Sequence, residues 1–79
     1  MLDGTRIRQL RERRGLSQAA LGALIHKDGQ YVSKVELGLR TSITTGTLEA
    51  LARALGCTPD YLLGWSDTLR PRGRVATVA

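Results

Sequence analysis

The 79-residue sequence predicts an all-α domain of five short helices, and three observations carry that expectation. Apolar residues recur at helical spacing, most plainly at Leu48, Leu51, Ala52 and Leu55, the i, i+3, i+4, i+7 stripe of a helix that buries one face. Ser17, Asp28, Thr44 and Thr58 stand ahead of such stretches, where a side-chain oxygen can accept from the free N–H groups of a first turn. Gly15, Gly38 and Gly56 stand behind them, where a left-handed residue ends a helix.

The elements follow in order. The first runs from about Asp3 to Arg14, with Ile7 and Leu10 on one face and Arg6, Arg8, Arg13 and Arg14 on the other. Those arginines read either as a solvated face or as part of a basic surface. The second opens at Ser17 and places Leu21, Leu24 and Ile25 towards a core. The third opens at Asp28, whose charge suits a helix N-terminus, buries Val32 and Val35 and ends at Gly38. Only His26 and Lys27 separate the second from the third, so the two must cross. The fourth runs from Thr44 to Gly56. The fifth has Thr58 as cap and Pro59 at its first position, where the missing N–H costs nothing. Tyr61, Leu62, Leu63 and Trp65 are expected to pack it down, with Trp65 as a lid on the core or a contact between copies. Residues 1–65 form the expected domain, and 66–79 a basic tail with Arg70, Arg72 and Arg74 and no apolar period. The Met1 start and the tail fit a complete chain.

Composition narrows the function classes. Lys and Arg total 12 against 7 Asp and Glu, a formal charge of +5, which favours a polyanionic partner through counterion release. The stretch Arg6–Leu16 is more basic still. One cysteine, Cys57, excludes an internal disulfide and is expected to pack in the core. With His26 as the lone histidine no metal site is expected, nor a cofactor or small-molecule ligand. No apolar run reaches the roughly 18 residues of a membrane span, and the N-terminus is no secretory signal; a cytoplasmic protein is the default. No phosphate loop or nucleophile set points to an enzyme.

Function concentrates between Ser17 and Gly38. Two amphipathic helices joined by a tight turn have the geometry of a DNA-reading helix-turn-helix, whose second helix enters the major groove. Gln30, Tyr31, Ser33 and Lys34 are its exposed positions. Here Gly15-Leu16-Ser17-Gln18, Leu21 and Val32-Ser33-Lys34-Val35-Glu36-Leu37-Gly38 resemble the phage repressor and Cro-type family, the xenobiotic-response-element class. Leu55-Gly56-Cys57-Thr58-Pro59-Asp60-Tyr61-Leu62-Leu63-Gly64 is similar to the later helices of that family. The resemblance spans about Arg6 to Gly64. It implies a compact five-helix, lambda-repressor-like domain with the helix-turn-helix at helices two and three. It also implies double-stranded DNA as partner, a homodimer on a palindromic operator, and repression by promoter occlusion.

Carried over by position, Gln30, Tyr31, Ser33 and Lys34 would touch bases. A Gln can bond adenine bidentately and a Lys can donate to guanine; Tyr31 suits a thymine methyl or a phosphate. Ser17, Gln18, Lys27 and Arg40 would touch phosphates, the first two at a helix N-terminus suited to anions. Arg11 and Glu36 match an ion pair between the first and third helices. The chain departs from the common pattern with His26 for a turn Gly, Lys27 for an aliphatic residue, Gly22 for Ala, and a loop to Thr47 about one residue longer. His tolerates positive φ better than most residues, and Gly in place of Ala permits a close helix crossing but costs about 1 kcal/mol of helix propensity. Phage repressor, restriction–modification controller and antitoxin remain open. A module whose main partner is a protein, through Trp65, Leu69 and Val75–Val78, is the alternative.

Overall fold

The computed structural model describes residues 2–66. These form α1 (Gly4–Arg13), α2 (Gln18–Leu24), α3 (Gly29–Glu36), α4 (Thr45–Leu55) and α5 (Pro59–Leu62), with no strand among the described residues. Asp3, Ser17, Asp28, Thr44 and Thr58 each accept a backbone N–H of the helix that follows. The four expected caps are observed, and Asp3 is a fifth. The expectation for the tail lies outside the described residues beyond Ser66.

Helices of 7 and 4 residues, such as α2 and α5, are too short to persist alone in water. Tertiary burial holds them. Ile7 and Leu10 of α1, Leu21 of α2, Val32 and Val35 of α3, Leu51, Ala52 and Leu55 of α4 and Leu62 of α5 converge in one core with Leu2 and Ile25. Each fully buried aliphatic side chain contributes about 1.5–3 kcal/mol. Cys57 is partly buried beside this core; its surroundings raise the thiol pKa by desolvation, against an opposing pull from Arg14.

The α2–α3 crossing is the most extensive contact between helices. It depends on Gly22, which is buried against the start of α3: a Cβ there would lie 2.5 Å from the Asp28 carbonyl carbon and oxygen. The turn between the helices is closed by the Lys27 N–H donating to Gly22 O at 2.7 Å. It also needs a left-handed residue, and His26 takes it at φ 61°.

Two apolar expectations are corrected. Leu24 is 54% exposed. Contact with α3 shifts the buried arc of α2 towards Gly22, and Leu24 lies about 60° beyond Leu21 on the other side at 3.6 residues per turn. Trp65 is 73% exposed. Gly64 takes φ 78° and the Trp65 N–H returns to Asp60 O at 2.9 Å, so the closing turn of α5 carries the indole away from the core.

The arginines of α1 do more than face solvent. Arg6 donates to Tyr61 O at 2.9 Å and Ser66 O at 2.7 Å, with its guanidinium over the Tyr61 ring. Arg14 donates to Leu55 O at 3.0 Å. Carbonyls in a last helical turn lack intrahelical donors, and these side chains supply them from another helix. The Asp3 N–H adds a bond to Leu62 O at 2.7 Å, so α1 and α5 are joined at their ends.

Candidate nucleic-acid interface

The surface of interest is built from α3 and the segments beside it. Val32 and Val35 are buried, which fixes the rotation of α3 about its axis. Gln30 and Lys34 consequently project into solvent, while Tyr31 and Ser33 are half-buried at its flanks. The Asp28 carboxylate accepts from the Tyr31 N–H at 2.8 Å and starts the helix.

Glu36 is the anchor of α3. Its side chain is 4% exposed and that of Arg11 12%. Arg11 Nε donates to Glu36 Oε2 at 2.5 Å and Arg11 Nη2 to Oε1 at 3.2 Å. A third donation, Arg11 Nη1 to Leu16 O at 2.8 Å, ties the same guanidinium to the loop before α2. Hydrogen bonding to Glu36 raises the Arg11 pKa above its ordinary value, outweighing the burial that opposes it.

Gln18 opens α2 and donates through Nε2 to Glu36 Oε1 at 3.2 Å. One carboxylate thus gathers groups from α1 and α2 onto the last turn of α3. Ser17 caps α2 through the Ala20 N–H at 3.0 Å. A shallow depression lined by Arg8, Arg11, Gln18, Ser33, Glu36 and Leu37 lies over this junction. On the other side of α3, the Tyr31 ring has Lys27 Nζ 5.2 Å and the Arg40 guanidinium carbon 5.1 Å from its centroid. Those side chains share a second cleft with Ser42, Thr44 and Thr47.

The ten residues singled out by sequence thus fall along α3 and its two flanks. Gln30, Ser33 and Lys34 belong to α3 itself; Gln18, Arg11 and Glu36 meet at one flank, and Lys27, Tyr31 and Arg40 at the other, with Ser17 capping α2. Sequence reasoning did not find the role of Gly4, whose missing Cβ lets α1 approach the last turn of α3; an added Cβ would lie 2.5 Å from Val35 O. No sequence signal marks it, because the requirement arises from a neighbour far along the chain.

This arrangement, two crossed helices with the second exposed along one face, agrees with the family comparison: residues 7–62 match the helix-turn-helix family model. The chain belongs to the helix-turn-helix family. The HTH-type transcriptional regulator RamB of Mycobacterium tuberculosis (strain ATCC 25618 / H37Rv) is 32% identical over 65 residues, 82% of this chain and 14% of that protein. The HTH-type transcriptional regulator y4wC of Sinorhizobium fredii (strain NBRC 101917 / NGR234) is 39% identical over 66 residues, 84% of this chain and 44% of that protein. The helix-turn-helix chain therefore spans less than half the length of these curated relatives. Among solved structures, the P22 c2 repressor in complex with synthetic operator 9T is similar with a TM-score of 0.76 and 38% identity, over 84% of this chain and 98% of that one. The SinR–SinI complex is similar with a TM-score of 0.73 and 26% identity, over 99% of this chain and 75% of that one. The all-helical, repressor-like fold expected from the sequence is the fold observed. No helix among the described residues is long and apolar enough to cross a membrane.

Proposed function

We propose that the chain is a sequence-specific double-stranded DNA-binding regulator of transcription, not an enzyme, with α3 as its recognition helix. One observation carries the reading: burial of Val32 and Val35, with Glu36 locked to Arg11, leaves Gln30 and Lys34 exposed on a rigid helix. A major groove about 12 Å wide admits one such helix. Gln30, Ser33 and Lys34 are the proposed base readers. Ser17, Gln18, Lys27 and Arg40 are the proposed phosphate contacts, Gln18 with its amide held in place by Glu36.

The similar P22 c2 repressor is described in complex with a synthetic operator, which supports DNA as the ligand class. The proposed assembly is a homodimer whose two recognition helices read a palindrome about 34 Å apart, one helical turn. It would act by covering a promoter, in the cytoplasm. A protein partner is the second reading, favoured by the 73% exposure of Trp65 and by the described complex of the similar SinR with SinI.

Selection from a random duplex library at about 0.15 M salt, where phosphate attraction is partly screened, is the test. Enrichment of a palindrome is expected. Binding without enrichment that fades as salt rises would leave only a non-specific basic surface. On the selected site, Lys34→Ala should cost about 1–3 kcal/mol and relax preference at one base position. Equal loss on every sequence would make Lys34 a phosphate contact.

A further inference from the structure

Tyr31 stands at the first turn of α3 with cations from two separate loops against its ring, Lys27 Nζ at 5.2 Å and the Arg40 guanidinium carbon at 5.1 Å. Neither cation is ion-paired with a carboxylate among the described residues. Both line one cleft of about 260 Å³, together with the hydroxyl-bearing side chains of Ser42, Thr44 and Thr47, and no acidic residue lines it. Like charges repel, and long cationic side chains gain entropy by dispersing into solvent. The negative face of the aromatic ring opposes both tendencies. The ring itself is half-buried and fixed by α3.

We infer that Tyr31 is a positioning residue that gathers Lys27 and Arg40 into one phosphodiester-binding cleft, and that it does not read bases. The inference rests on the DNA-binding reading and states how one stretch of backbone is gripped. An ammonium, a guanidinium and the Ser42 and Thr47 hydroxyls are donors suited to the non-bridging oxygens of a phosphodiester, the Thr44 hydroxyl being donated to Thr47. Ordering the two cations in the free protein removes part of the entropy cost of binding. A phosphate carries no sequence information, so Tyr31 should govern affinity and salt dependence alone. Its ring is required and its hydroxyl is not.

The test compares the full chain with Tyr31→Phe and Tyr31→Ala in two arms. In the first, inorganic phosphate is titrated and followed by NMR. Saturable shifts are expected at Lys27, Ser42, Thr44 and Thr47, weakened in Tyr31→Ala and restored in Tyr31→Phe. Shifts spread evenly over all arginines would overturn the cleft. In the second arm, duplex binding is measured across a salt series. Tyr31→Ala should lose affinity by the same factor on every sequence, with the slope of log K against log salt falling by about 1 to 2; Tyr31→Phe should match the parent. A loss confined to one base position with the slope unchanged would make Tyr31 a base reader and overturn the inference. Should Tyr31→Ala not fold, Lys27→Ala and Arg40→Ala replace it: each should lower the slope by about 1, and two unchanged slopes would overturn the cleft. Site-specific phosphate shifts without duplex binding by the parent would support the cleft and reject only the DNA reading.

Discussion

At the scale of single residues, Glu36 decides the most. Its buried carboxylate receives Arg11 and Gln18, and the two donors join α3 to different helices. A pair so enclosed repays the cost of desolvating its charges only while both partners are present. Arg11→Ala should therefore destabilise the domain by about 3 kcal/mol, since the Glu36 charge is left without its partner. Arg11→Met combined with Glu36→Leu should cost less than the single change. Urea unfolding of the two variants checks this; a double variant less stable than Arg11→Ala would show that the pair adds stability outright and is more than an orienting device. Gln18 illustrates why a motif position under-describes a residue: its place at the start of α2 suggests an anion contact, whereas its amide in the free protein is already bonded to Glu36.

At the scale of elements, the glycines of α2 and α4 separate intrinsic preference from context. Gly22 and Gly46 both lie inside helices, and propensity alone favours Ala at each by about 1 kcal/mol. A Cβ at Gly22 meets backbone of Asp28 at 2.5 Å, while one at Gly46 meets nothing within 4 Å. Gly46→Ala should therefore stabilise by about 0.4–1 kcal/mol. Gly22→Ala should destabilise, by about 1–3 kcal/mol typical of overpacking, because backbone cannot swing aside as a side chain can. Thermal unfolding of both variants should move Tm in opposite directions. A rise in both would mean that α2 and α3 part without cost.

At the scale of the whole molecule, the start of α1 is tied to α5 and the segment that follows it. Arg6 reaches Tyr61 O and Ser66 O, and the Asp3 N–H reaches Leu62 O. Hydrogen bonds from a charged donor contribute about 1.5–3 kcal/mol each at best; with Arg6 21% exposed, Arg6→Ala should cost about 2 kcal/mol in total. The loss should be localised. Hydrogen exchange at the Asp3 amide should accelerate more than at Val32, which lies in the core. Equal acceleration at both would mean that Arg6 acts through global stability and does not clasp α1 to α5. The same tie links α1, whose Gly4 abuts the last turn of α3, to the point where the chain leaves α5.

The helices, their caps and the helix-turn-helix were legible in the sequence because they depend on local chemistry. Ser17, Asp28, Thr44 and Thr58 bond N–H groups only three residues away, and the α4 stripe is a periodicity within one helix. Gln30 and Lys34 were legible for the same reason, as positions opposite Val32 and Val35. What only the tertiary structure decided are the relations between segments distant in sequence. Gly4 is required by Val35, and Arg6 and Arg14 find carbonyls of α5 and α4, whereas the close crossing at Gly22 was legible from the glycine itself. Leu24 reads as core from spacing, yet it is exposed, and Trp65, expected as a lid on the core or a contact between copies, does not cover the core. A helix can bury only the arc its neighbours cover, and no pattern inside a helix states where those neighbours will lie.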